Sequence, residues 1–221
     1  LILEIDNIEL NFGPRKILFG IYLKAKEGEV TGILGRNGCG KTSLLKIIFG
    51  SLKPKYKSIR IDGKNRKDRL FLSNSIAYLP QHQLLPNNIK IEKIFSLFNV
   101  DWNRFTEIFK SFKVYEKYKV FELSSGEIRI LETYLILNRD FKIILLDEPF
   151  SFIAPIYVDI FKDMILSKKK NRITIITDHF YNDVMNIANT LYLLKNGHSK
   201  LINNIDDLVN DGYLSSSSQQ K

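Results

Sequence analysis

Gly35-Arg36-Asn37-Gly38-Cys39-Gly40-Lys41-Thr42 is a Gly-x4-Gly-Lys-Thr stretch, the pattern of a phosphate-binding loop. The apolar run Val30-Thr31-Gly32-Ile33-Leu34 precedes it, and Ser43-Leu44-Leu45-Lys46-Ile47-Ile48-Phe49 follows. A strand thus feeds a glycine-rich turn that opens a helix. Gly35, Gly38 and Gly40 lack a Cβ, so the backbone can curl and approach a phosphate closely. Its N–H groups and the positive end of the helix then face an anion. Lys41 offers a point charge to the β- and γ-phosphates, and Thr42 a hydroxyl ligand for Mg²⁺.

The rest of the chain sorts around that loop. Its 221 residues suffice for one domain with a real core. No stretch approaches 18 uninterrupted apolar residues, so no transmembrane helix is expected. Residues 1–6 alternate as a strand does and do not read as a secretion signal. The single cysteine, Cys39, excludes an internal disulfide and a Cys-based zinc site, and points to the cytoplasm. Its place between Gly38 and Gly40, beside Lys41, leads one to expect a lowered thiol pKa. The net charge of +9 suits an anionic partner. However, Lys168-Lys169-Lys170 has no interleaved aromatics, so nucleic acid is not an expected partner.

Strands are expected over residues 1–10, 17–25, 58–63, 76–81, 142–148 and 172–177, with a hairpin around Lys195-Asn196-Gly197. Helices are expected after Lys41 and over residues 89–98, 101–112, 126–138, 155–167 and 180–189, with a short one at 205–209. Asp101 is placed to cap the second of these inserted helices. Asn11-Phe12-Gly13-Pro14 reads as a turn. The expected layout is one domain over residues 1–210 with a helical sub-lobe at about 82–138. Residues 211–221 read as a polar, disordered tail.

A second chemical feature lies at Asp147-Glu148, which ends the apolar run Ile143-Ile144-Leu145-Leu146. Such a strand is central in a parallel sheet, and its carboxyl end faces the ligand crevice. There Asp147 can hold Mg²⁺, directly or through water, and Glu148 can orient and deprotonate a water.

Taken together these motifs resemble the ABC-type ATPase family over residues 1 to about 209. Leu123-Ser124-Ser125-Gly126-Glu127 is similar to the family's Leu-Ser-Gly-Gly-Gln segment, with Ser125 for a glycine and Glu127 for a glutamine. By itself the segment reads equally as a serine N-cap. The resemblance implies an α/β fold of the P-loop NTPase, ABC ATPase type. A mixed sheet core with an antiparallel β edge carries a helical sub-lobe. It implies ATP and Mg²⁺ as cofactors and ATP hydrolysis to ADP and phosphate.

By the resemblance, Phe12 stacks on adenine, and residues 35–43, namely Gly35, Arg36, Asn37, Gly38, Cys39, Gly40, Lys41, Thr42 and Ser43, hold the nucleotide. Thr42, Gln81 and Asp147 meet the metal. Gln81, Glu148, His179 and Lys41 are the catalytic set. Ser124, Ser125, Gly126 and Glu127 act in trans on the ATP of a second ABC ATPase domain, homo- or heterodimeric. His179 follows Asp178, where the family more often shows Thr-His-Asp. Ala154 stands where the family has an aspartate that contacts the opposite protomer. His82 and His198 are expected at the surface.

The function implied is a transport-coupled ATPase subunit that drives a separate transmembrane subunit from the cytoplasmic face. Leu84, Leu85, Phe95 and Phe98 could line a groove for that partner's helix or pack in the core. The alternative is a soluble ABC ATPase acting on a ribosome, nucleic acid or another assembly. A binding module without hydrolysis is disfavoured by the intact Lys41, Asp147, Glu148 and His179.

Overall fold

Strand periodicity sets the frame. Along Ile143–Asp147, Ile144 and Leu146 belong to one hydrophobic cluster while Ile143 and Leu145 belong to another. Val30–Leu34 divides likewise, Val30 and Leu34 against Ile33. Successive side chains point to opposite faces, so a strand apolar on both faces must be covered on both. The computed structural model, which describes residues 1–214, shows this arrangement.

Among the described residues ten strands form one sheet: β1 (Ile2–Phe12), β2 (Arg15–Lys26), β3 (Val30–Leu34), β4 (Tyr56–Ile61), β5 (Lys64–Asn65), β6 (Ile76–Leu79), β7 (Ile143–Asp147), β8 (Ile173–Thr177), β9 (Thr190–Lys195) and β10 (His198–Ile202). Their order is β5-β4-β1-β2-β10-β9-β3-β8-β7-β6. The β1, β2, β4 and β5 pairings are antiparallel; β9, β3, β8, β7 and β6 pair in parallel. The hairpin β9–β10 is the seam, since β10 meets β2. An α/β mixed sheet with an antiparallel edge follows, as expected.

The helices are α1 (Lys41–Phe49), α2 (Ile91–Phe98), α3 (Trp102–Ile108), α4 (Ser125–Asn138), α5 (Pro155–Lys168), α6 (Tyr181–Ile187) and α7 (Ile205–Asn210). Leu44, Leu45, Ile47 and Ile48 of α1 pack in one cluster with β1, β2 and β4. On the other face α2, α3 and α4 share an aromatic core. Phe105 contacts Phe95, Trp102, Phe109, Phe112 and Tyr134, with ring centroids 4.8–5.4 Å apart. Each such pair adds about 0.5–1.5 kcal/mol beyond area burial.

Several boundaries differ from the expected ones. β1 runs through Asn11 and Phe12, so the turn shrinks to Gly13-Pro14. The helix expected over 101–112 ends at Ile108, and a 3₁₀ segment, Lys110–Tyr115, turns Phe112 into the aromatic core. Asp101 caps α3 by accepting from Asn103 N at 2.8 Å. Tyr213 and Leu214 pack against the core, so ordered chain continues past residue 210. Residues 215–221 of the expected tail lie outside the described residues.

Candidate nucleotide site

The loop between β3 and α1 takes its shape from glycine. Gly40, the N-cap of α1, has φ 110°. A Cβ there would come within 2.8 Å of Leu18 Cδ2, so both the dihedral and the space exclude a side chain. Gly40 offers no side-chain cap, which leaves the first-turn N–H groups of α1 to an incoming acceptor. Lys41 is nearly buried, and its Nζ donates to Gly35 O at 2.7 Å. The ammonium thus lies across the loop.

A cleft of ≈ 530 Å³ opens over it, within the range of small-ligand sites, about 300–1,000 Å³. Phe12, Asn37, Gly38, Gly40, Lys41, Thr42, Ser43, Gln81 and Glu148 line it, with Arg15 and Ile17. Phe12 is 53% exposed, its ring available as a stacking face. Gly35, Arg36 and Cys39 do not line this cleft. Arg36 turns away to donate to Gly212 O at 2.8 Å. With Cys39 and Tyr213 it borders a second cavity of ≈ 340 Å³. Burial pushes the Cys39 thiol above its ordinary range, and Lys41 offsets this only in part. The expected lowering is therefore overturned: desolvation of a half-buried thiol outweighs the nearby charge.

The strand ends supply the acids. Glu148 adopts φ 53° directly after β7 and anchors its N–H on Thr177 O at 2.8 Å. A positive φ on a non-glycine residue is strained, and here it turns the carboxylate toward the cleft. Glu148 Oε2 accepts from Gln81 Nε2 at 2.9 Å and lies 3.5 Å from His179 Nδ1. Asp147 is fully buried behind it, accepting from Thr177 Oγ1 at 2.7 Å and Tyr78 OH at 3.0 Å. Burial and the Asp147 carboxylate keep the Tyr78 hydroxyl protonated far above its usual range. Asp178 is buried and accepts from Phe150 N and Phe180 N, which ties the loop after β7 to the loop that carries His179. Burial raises its carboxyl pKa.

Ser124, Ser125, Gly126 and Glu127 lie elsewhere, at the start of α4, and none lines the cleft. Ser124 and Glu127 form a capping box: Ser124 Oγ accepts from Glu127 N, and Glu127 Oε2 accepts from Ser124 N and Oγ. Gly126 is needed because a Cβ would meet Phe152 O at 2.6 Å. Leu85 and Phe95 of the suggested groove are core residues, whereas Leu84 is 37% exposed. His82 and His198 are exposed.

Sequence reasoning missed Arg129 and Glu132. Both are buried on α4, and Arg129 donates to the carbonyls of Pro80, Asp147 and Glu148. The available signal was a charged pair three residues apart inside the apolar run of residues 128–137. It also missed Tyr78 and Thr177 as partners of Asp147.

The family model described as ABC transporter matches residues 18–151. An uncharacterized ABC transporter ATP-binding protein of Bacillus subtilis is 30% identical over 88% of this chain and 68% of its own. A lipopolysaccharide export system ATP-binding protein of Haemophilus influenzae is 26% identical over 95% of this chain and 93% of its own. Among solved structures, the ADP conformation of an ATP-binding cassette of an ABC transporter superposes with a TM-score of 0.70. It is 25% identical and covers 100% of this chain and 99% of that one.

Proposed function

The chain belongs to the ABC transporter family, as an ATP-binding, ATP-hydrolysing subunit of the kind that powers a separate membrane-spanning subunit, and from that premise we propose which residues carry the reaction. The carrying observation is the placement of Glu148 in the cleft of the phosphate loop, its Oε2 held by Gln81 and beside His179.

Phe12 stacks on adenine. The backbone of residues 35–43 wraps the phosphates, and Lys41 turns from Gly35 O to the β- and γ-phosphates. Glu148 takes a proton from the attacking water. His179, 42% exposed beside Glu148, hydrogen-bonds the γ-phosphate. Thr42 and Gln81, which line the cleft, would hold Mg²⁺ together with Asp147, which is buried behind it. Asp147 also keeps lone pairs beyond those used by Tyr78 and Thr177. When bound, Mg²⁺ neutralises charge on the β- and γ-oxygens.

Residues 124–127 serve the nucleotide of a second ABC ATPase domain, which agrees with none of them lining this chain's own cleft. The Ser124 hydroxyl must then turn from Glu127 to phosphate. ATP favours the closed pair and hydrolysis releases it, a shift of populations. Among the described residues no helix is long and apolar enough to cross a membrane. We place the chain on the cytoplasmic face, attached through a transmembrane partner, on its likeness to the ATP-binding proteins of transport systems.

The test is affinity capture from solubilised membranes of cells that express this chain. A stoichiometric polytopic membrane protein, with ATP hydrolysis lost in Lys41→Ala, supports the reading. Ribosomes or nucleic acid in its place overturn it.

A further inference from the structure

One turn of α4 reaches the chain beside Gln81 and the carbonyls of Asp147 and Glu148. Arg129 Nη1 donates to Pro80 O at 2.6 Å, directly before Gln81. Its Nη2 donates to the carbonyls of Asp147 and of Glu148, the latter at 2.9 Å. Three residues on, Glu132 Oε1 accepts from Leu84 N at 2.6 Å and Leu85 N at 2.9 Å, and its Oε2 lies 3.7 Å from Arg129 Nη1. Their side chains are 6% and 1% exposed.

A buried charge is costly unless it is hydrogen-bonded. The planar guanidinium fork therefore has no cheap alternative to these carbonyls. Among the described residues Arg129 Nε has no partner, and both Nη groups donate to carbonyls at the ends of β6 and β7. The same helix begins at the Ser124–Glu127 capping box, five residues or about 7.5 Å upstream of Arg129 at 1.5 Å per residue.

We propose that Arg129, braced by Glu132, is a positioning residue that makes Gln81 and Glu148 move with α4. A phosphate engaging the start of α4 would thereby set the geometry of this chain's own base. The two nucleotides of the ATPase pair would then be coupled within each chain, through one buried side chain. This rests on the reading of Glu148 as base and of residues 124–127 as the segment acting in trans.

The test is a double-mutant cycle on the purified chain, with turnover and affinity for a fluorescent ATP analogue both measured. Arg129→Lys keeps the charge but cannot span three carbonyls. It is expected to lower kcat by about 10²-fold, the usual cost of a misplaced catalytic group, with nucleotide affinity within about threefold of wild type. In the Glu148→Gln background it is expected to cause no further loss, because the group it positions is gone. Equal fold-losses in both backgrounds, or affinity falling in step with kcat, overturn the proposal. Glu132→Gln keeps an acceptor for Leu84 and Leu85 but drops the ion pair. It serves if Arg129→Lys does not fold, and wild-type turnover in it overturns the proposal. A Glu148→Gln variant that hydrolyses ATP normally defeats instead the assignment of the base.

Discussion

Gln81 Nε2 donates to Glu148 Oε2 across 2.9 Å, joining the ends of two parallel strands at the nucleotide cleft. The bond orients the carboxylate by a neutral donor and leaves its charge available for the base role proposed for Glu148. A hydrogen bond to a charged group is worth about 1.5–3 kcal/mol, so Gln81→Ala should lower turnover by about 10- to 150-fold. Affinity for an ATP analogue should change much less. Steady-state kinetics beside a binding titration checks this; turnover above half of wild type would mean that Glu148 is oriented by other groups.

Phe12 sits at the rim of the same cleft with half of its surface open. Phe12→Ala should weaken ATP binding by about 1–2 kcal/mol, within the range of about 1–3 kcal/mol for a base stacked on an aromatic ring. Fluorescence titration gives the value. Unchanged affinity would assign the adenine contact to another side chain.

Cys39 should alkylate slowly at neutral pH, since burial keeps its thiol protonated. The reactive thiolate forms as pH rises, so the rate should climb through a midpoint above about 8.5, the ordinary thiol value. MgATP should slow the reaction further by ordering the loop. Mass-spectrometric rates of iodoacetamide labelling against pH test both points, and a midpoint below the ordinary value would restore the influence of Lys41 and the helix end.

Ala154 is the N-cap of α5 and supplies no side-chain cap, with Pro155 next. Ala154→Asp should therefore stabilise the isolated chain by about 0.5–2 kcal/mol, the worth of an N-cap, whatever it does to the dimer. The family resemblance adds a second expectation: a tighter ATP-bound homodimer in the Glu148→Gln background. Thermal melts and light scattering separate the effects. A melting point raised with an unchanged dimer would leave the cap and remove the intersubunit contact.

The fold was legible where local pattern and tertiary demand coincide. Val30-Thr31-Gly32-Ile33-Leu34 and Ile143-Ile144-Leu145-Leu146 are apolar on both faces, and only a covered parallel strand suits them. Lys41 was singled out by the spacing of the phosphate loop and Glu148 by its place after an apolar strand, whereas Gln81 came only from the family resemblance. The end of α3 was not legible, because Phe109 and Phe112 keep a helical spacing while the chain tightens to reach Tyr134. Arg129 was hidden for a different reason. Its partners are backbone carbonyls of Pro80, Asp147 and Glu148, and no side-chain motif marks a carbonyl. The Cys39 expectation failed because charge neighbours can be read from sequence and burial cannot.

The most direct measurement is single-turnover hydrolysis by purified Glu148→Gln, with ATP binding and oligomeric state followed on the same sample. If Glu148 is the base, hydrolysis falls by about 10²–10⁴-fold, ATP stays bound, and light scattering shows a trapped dimer. Hydrolysis at a near-normal rate would contradict the assignment on which the account stands.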